Sequence, residues 1–102
     1  AEKVLDDIAG VLKDMPNQIK IEGHTDDVPI NTPQFPSNWE LSSARALNIL
    51  KYLVQKHDIN PVKVSATGYG EFRPIAPNDN PIDRAKNRRV DIVVVNQDVV
   101  AY

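Results

Sequence analysis

Between Ser37 and His57 the chain carries one uninterrupted helical pattern, and the segments on either side alternate apolar and polar residues, as strands do. Ser37 and Glu40 have the Ser-x-x-Glu spacing of a capping box, which places the helix start near Asn38 and lets the pattern run to about His57. Ala46, Leu47, Ile49, Leu50, Leu53 and Val54 cover one side at about 100° per residue, with Arg45, Asn48, Tyr52 and Lys56 opposite. Arg45 is therefore expected to face away from the core, one to two turns into the helix. A helix with one apolar side, bracketed by half-buried strands, needs a sheet to pack on.

The rest of the chain supplies that sheet. Val4, Leu5, Ile8, Val11, Leu12 and Met15 fall at helical spacing until Pro16 and Asn17 interrupt, and I-K-I-E-G-H then alternates as a strand with one buried face. That first helix begins almost at the first residue without a capping signal, so an element before it is expected to be missing. Val28 to Pro36 carries three prolines and reads as a stiff loop. V-K-V-S-A-T-G from Val62 reads as a second strand, and Gly68 and Gly70 open a long loop containing Pro74, Pro77 and Pro81. Asn80-Pro81 with Asp83 suggests a short capped helical turn, after which R-R-V-D-I-V-V-V has the β-branched density of a central strand. The expectation is an α+β chain with two main helices on one face of a mixed sheet, a domain over 1–96, and an unassigned tail at 97–102.

Composition narrows the function. A chain of 102 residues with 41% hydrophobic content suits one soluble domain. Twelve Lys and Arg against fourteen Asp and Glu, without long runs of one sign, argue against nucleic acid as a partner. The cluster R-A-K-N-R-R at 84–89 comes with no nucleic-acid motif, and reads better as arginines tying down the long loop. The absence of cysteine removes disulfides, thiolate nucleophiles and cysteine zinc sites.

His24, Asp26 and Asp27 are residue types of a metal or hydrolytic site, but no further ligand follows at fixed spacing. The plainer readings are a structural hydrogen bond for His24 and, for Asp26, a loop carboxylate accepting from nearby backbone N–H groups. Arg45 has a plain reading too, as a solvated charge paired with Glu40 or with nothing. Placement raises the pair: a strand-end carboxylate, a stiff loop that doubles back, and a guanidinium on the helix that follows. Such an arrangement can grip a zwitterion, with an ammonium at Asp26 and a carboxylate on the planar fork of Arg45, each contact worth roughly 1.5–3 kcal/mol when partly desolvated. Asn38 adds an amide in the first helical turn. Trp39 and Tyr69 are candidates to stack on a sugar, or core and rim residues.

G-H-T-D-D, N-W-E-L-S-S-A-R-A, G-Y-G-E-F-R-P and N-R-R-V-D-I occur in the order and approximate spacing of the OmpA-like peptidoglycan-binding domain, which residues 1–96 resemble. S-N-W-E-L-S, with D-D-x-P after His-Thr, resembles the motility branch of that family, the MotB and MotS stator domains. The resemblance implies a β/α/β/α/β sandwich whose N-terminal strand is missing here, and a loop from Val28 to Pro36 longer than in simpler members. It also implies non-covalent binding of a diaminopimelate-type stem peptide, with Asp26 on the amine and Arg45 on the carboxylate. Thr25, Asn38 and Leu41 would stand at the rim, with Arg88 or Arg89 as a further contact. Neither cofactor, metal nor catalysis is implied. A homodimer is implied, tethered to the cytoplasmic membrane by a segment outside this chain, working with MotA-type channel subunits on the periplasmic or extracytoplasmic side. Within the same fold the alternative is a general OmpA- or Pal-type wall anchor without motility. Outside it stand a wall hydrolase using His24 and Asp26, and a protein-interaction domain.

Overall fold

In the computed structural model, which describes residues 2–96, the order is α1 (Glu2–Lys13), β1 (Gln18–His24), α2 (Asn38–His57), a 3-10 turn (Pro61–Lys63), β2 (Val64–Gly68), α3 (Pro81–Asn87) and β3 (Arg89–Val95). The expected tail at 97–102 lies outside the described residues. The sheet runs β2-β1-β3, with β1 parallel to β2 and antiparallel to β3. The strand with the greatest β-branched density is thus at the edge among the described residues, and β1 is central. Composition misleads here because β3 carries valines on both faces, with Val90 and Ile92 toward the core and Val93 and Val95 on the other side.

Alternation along β1 sends Ile19 and Ile21 into the core, where they meet Ala46 and Leu53 of α2, Ala9 and Leu12 of α1, and Ile59. Each fully buried branched side chain contributes about 1.5–3 kcal/mol relative to exposure. In α1 the buried stripe is Ala9 and Leu12, flanked by Ile8 and Met15, whereas Val4 and Val11 are exposed.

Ser37 caps α2 by accepting from the Trp39 N–H at 3.1 Å, and donates its own hydroxyl to Glu40 at 2.5 Å. At the other end Asp58 takes the left-handed conformation (φ 56°) and the chain turns so that the Ile59 N–H reaches the Leu53 carbonyl at 3.3 Å. Ile59 is thereby returned to the core. Val62 and Lys63, expected to be strand, lie in the 3-10 turn instead. Pro61 opens that turn, the Asn60 side chain accepts from Val62 N–H, and Lys63 Nζ donates to the carbonyls of Leu12 (2.9 Å) and Met15 (2.7 Å), capping α1.

Gly23 places the end of β1 against α2. A methyl group at this position would collide with the backbone carbonyl of Ser42, so only glycine lets strand and helix approach this closely.

Candidate functional site

At the end of β1 the chain is held by the segment that follows β2. The Tyr69 N–H donates to the Gly23 carbonyl (3.0 Å), and the Thr25 N–H donates to the Gly70 carbonyl (2.9 Å). Asp26 follows, 8% exposed, with its two carboxylate oxygens already engaged: Oδ1 accepts from the Val28 N–H at 3.0 Å and Oδ2 from Arg88 Nη1 at 2.7 Å. The plain reading of Asp26 as a backbone acceptor is therefore present, together with an ion pair that local sequence does not announce. Asn38, buried at the start of α2, donates its amide hydrogens inward to the carbonyls of Asp26 (3.4 Å) and Val28 (3.2 Å). Its NH2 group secures the loop.

These residues wall a cleft of about 380 Å³, in which Thr25, Asp26, Asn38, Leu41, Arg45 and Arg88 meet Val28, Pro29 and Ile30 of the proline-rich loop. Arg45 does not stand opposite the core. Its position is roughly 60° around α2 from the middle of the buried stripe of Asn38, Ser42, Ala46 and Leu53, on the shoulder that borders the cleft. No hydrogen bond or ion pair of the Arg45 guanidinium is found among the described residues, and Glu40, its suggested partner, is taken by Ser37. With one carboxylate against two guanidiniums the cleft has a net charge of +1. It can take a carboxylate at Arg45 directly. An ammonium at Asp26 must share that carboxylate with Arg88.

Arg89 stands elsewhere. It alternates to the helix-free side of β3, where Nε reaches both oxygens of Asp91 at 3.2 Å and Nη2 reaches the Arg73 carbonyl at 3.2 Å. Of the two arginines named as a further contact, Arg88 lines the cleft and strand parity turns Arg89 to the other side. Of the arginine pair at the strand start expected to tie down the long loop, Arg89 does so through the Arg73 carbonyl, whereas Arg88 goes to Asp26.

His24 also faces the helix-free side. Its Nε2 lies 3.4 Å from Asp91, its ring stacks on Tyr69 at 5.2 Å, and neither nitrogen makes the hydrogen bond expected for a strand-end histidine. Burial, and then the nearby Arg89 charge, lowers its pKa below 6.5. Its carboxylate neighbour is Asp91 and not Asp26, so the two residues of the hydrolase reading do not form a dyad. One ligand atom each from Glu22, His24 and Asp91 falls within 4.8 Å, but Arg89 already holds Asp91 and Tyr69 Oη donates to Glu22 at 3.2 Å.

A smaller cleft of about 230 Å³ lies between α1 and the end of α2. Its polar groups satisfy one another: Tyr52 Oη and His57 Nε2 both reach Asp6, at 2.5 and 2.6 Å, and Lys56 lies 2.8 Å from the Tyr52 hydroxyl. This is a clasp between helices.

Three residues escaped the sequence reading. Ser42, fully buried, accepts from the Gly70 N–H at 2.9 Å and donates to the Trp39 carbonyl at 3.1 Å. Asn87, also fully buried, accepts from the N–H groups of Ile75 and Ala76 and donates to the Ala76 carbonyl and to Asn78. Phe72 stacks on Trp39 with ring centres 5.1 Å apart. A polar residue at helical spacing on the buried side of α2 was the available signal for Ser42; the other two are set by loop geometry alone.

A helix N-terminus, a strand end and a stiff loop enclose a carboxylate and a guanidinium that has no partner among the described residues, in a cleft of a small α+β domain. The chain belongs to the OmpA family, whose model matches residues 1–88. It is 42% identical over 80 residues to Motility protein B of Bacillus subtilis, covering 78% of this chain and 31% of that protein. The fold is that of the C-terminal domain of Helicobacter pylori MotB, whose crystal structure superposes with a TM-score of 0.87 at 36% identity, covering 93% of this chain and 73% of that one. The cell wall anchor of the type VI secretion system (T6SS) from Pseudomonas aeruginosa is also similar, with a TM-score of 0.83 and 36% identity over 91% of this chain and 64% of that one. The chain spans about a third of the length of the curated relatives it matches first.

Proposed function

We propose that this domain binds the stem peptide of peptidoglycan without chemical change, and so anchors a flagellar stator subunit of the MotB kind to the cell wall. The observation that carries the reading is the unpaired Arg45 guanidinium across one cleft from the buried Asp26 carboxylate. A diaminopimelate-type residue offers a carboxylate and an ammonium on one carbon. The carboxylate forms a bidentate pair with Arg45, and the ammonium uses acceptor capacity that Asp26 retains beside Val28 and Arg88. The net positive charge of the cleft suits a stem peptide with more carboxylates than ammonium groups. Thr25 and Leu41 shape the rim.

Binding is an equilibrium in which no bond is made or broken. The site would face the wall from the periplasmic or extracytoplasmic side, with the domain tethered through a membrane segment outside this chain, paired as a dimer, and working beside MotA-type subunits. Among the described residues no helix is long and apolar enough to cross a membrane.

The likeness to a T6SS cell wall anchor favours one further reading, a wall anchor without motility. Co-sedimentation with purified sacculi tests the shared part: the unaltered domain should pellet, and Asp26→Ala and Arg45→Ala should stay in solution with unchanged circular dichroism. Equal pelleting of all three would place the wall contact elsewhere. Restoration of swimming in a strain lacking its stator subunit, by the full-length protein, separates the motility reading from the general anchor.

A further inference from the structure

Two aromatic side chains stand open over Gly70, Trp39 at 50% and Phe72 at 63% exposure, their rings stacked at an interplanar angle of 26°. Of the two aromatics that the sequence offers for sugar contact, Tyr69 is used internally. His24 stacks on it, the Arg73 guanidinium lies 3.9 Å from its ring centre, and its hydroxyl bonds to Glu22. Among the described residues, the Trp39 ring has no such engagement beyond Phe72.

The pair is joined to the cleft through Gly70. This residue takes a left-handed conformation (φ 64°), its carbonyl accepts from Thr25, which lines the cleft, and its N–H donates to Ser42 of α2. A methyl group built on Gly70 would lie 3.5 Å from the Phe72 ring and 3.6 Å from the Trp39 ring, so the aromatics rest directly over this residue. Trp39 also follows Asn38, another wall of the cleft. We propose that Trp39 and Phe72 form a stacking platform for a sugar of the glycan strand, adjoining the cleft that takes the stem peptide.

The inference rests on the stem-peptide reading and deepens it, because a peptide bound beside these rings is attached to a sugar. A pyranose presents an apolar C–H face that matches a flat indole, while its hydroxyls need polar neighbours. Exposed Glu40 and Ser43 flank Trp39 in sequence and along α2. An exposed aromatic pair one residue removed from the cleft, through the Gly70–Thr25 hydrogen bond, has this use without any rearrangement of the fold.

Trp39 is the sole tryptophan of the chain, so its fluorescence reports occupancy of the platform. The probes are a diaminopimelate-containing tripeptide and the same tripeptide carried on its N-acetylglucosaminyl-N-acetylmuramyl disaccharide. The glycopeptide should change Trp39 emission and bind about tenfold more tightly than the free tripeptide, the scale of one aromatic contact. Calorimetry on Trp39→Ser/Phe72→Ser should show that advantage gone and the affinity for free tripeptide unchanged, with Trp39→Tyr retaining most of it. Equal affinity of the two probes for the unaltered domain, without an emission change, would overturn the platform and leave the stem-peptide reading standing. Glycopeptide binding through Trp39 without any tripeptide binding would uphold the platform and remove the stem-peptide reading. Binding of neither would remove both. A concentration-dependent emission change without ligand, tracked by dimer formation on gel filtration, would assign the rings to a second copy of the chain and overturn the proposal.

Discussion

Arg88 Nη1 lies 2.7 Å from Asp26 Oδ2, while Arg45, lining the same cleft, has no acidic partner among the described residues. The two arginines are therefore not equivalent. Arg88 organises the carboxylate, and Arg45 is the cation left for a ligand. Replacing Arg45 with alanine should weaken binding of a diaminopimelate tripeptide by roughly 10- to 150-fold, the worth of a charge-assisted pair of 1.5–3 kcal/mol. Replacing Arg88 with glutamine should weaken it by less than about tenfold, since glutamine still donates to Asp26. Calorimetry on the two variants ranks them, and a larger loss at Arg88 would reverse the assignment.

Gly23 should tolerate no side chain. In Gly23→Ala the added methyl meets the Ser42 carbonyl, which cannot retreat without shifting α2. A loss of up to about 3 kcal/mol is expected, the usual range for overpacking. Urea denaturation measures it, and an unchanged midpoint would show that the strand–helix approach is looser than described.

Asn87 holds the segment Ile75–Asn78 with four hydrogen bonds from a fully buried side chain. Asn87→Ala leaves two N–H groups and a carbonyl without these partners and should cost about 3 kcal/mol, with water meeting part of the loss. Amide hydrogen exchange should accelerate at Ile75 and Ala76 before it does in β1. Protection that survives there would remove the organising role.

Stability should fall on acidification in two stages. His24 has its pKa lowered, chiefly by burial. Above pH 6.5 it is neutral in both states and contributes no difference. As pH falls through 6.5 the unfolded imidazole takes up a proton first, so stability declines until the folded pKa is passed. Asp6 is lowered below 3.8, first by the Tyr52 hydroxyl and then by His57, so its contribution is present above that value and is lost as pH falls through the folded pKa. Urea midpoints from pH 8 to pH 3 should show both stages. His24→Gln should flatten the first, and Tyr52→Phe should shrink the second.

How much of this was legible in the sequence differs from residue to residue. Ser37, Glu40 and the apolar repeat after them marked α2 from Asn38 to His57 because capping and periodicity are local signals. Asp26 and Arg45 could be placed near one another because a proline-stiffened loop that doubles back joins their elements. Arg88 on Asp26 could not be read, since a side-chain bond across 62 residues leaves no local trace. The apolar repeat alone centres the core side of α2 too far from Arg45, because the buried polar residues Asn38 and Ser42 extend the stripe toward it. Val62 and Lys63 alternated like a strand, yet Pro61 and the carbonyl end of α1 claimed them.

The most direct test pairs a change in the ligand with a change in the protein. Calorimetry would compare a diaminopimelate tripeptide with the same peptide amidated at the side-chain carboxylate, on the unaltered domain and on Arg45→Ala. The account predicts that amidation weakens binding to the unaltered domain by at least about tenfold and leaves the already weak binding of Arg45→Ala unchanged, the non-additivity of two groups in contact. Equal losses on both proteins would show that the carboxylate binds elsewhere and would contradict the two-charge cleft.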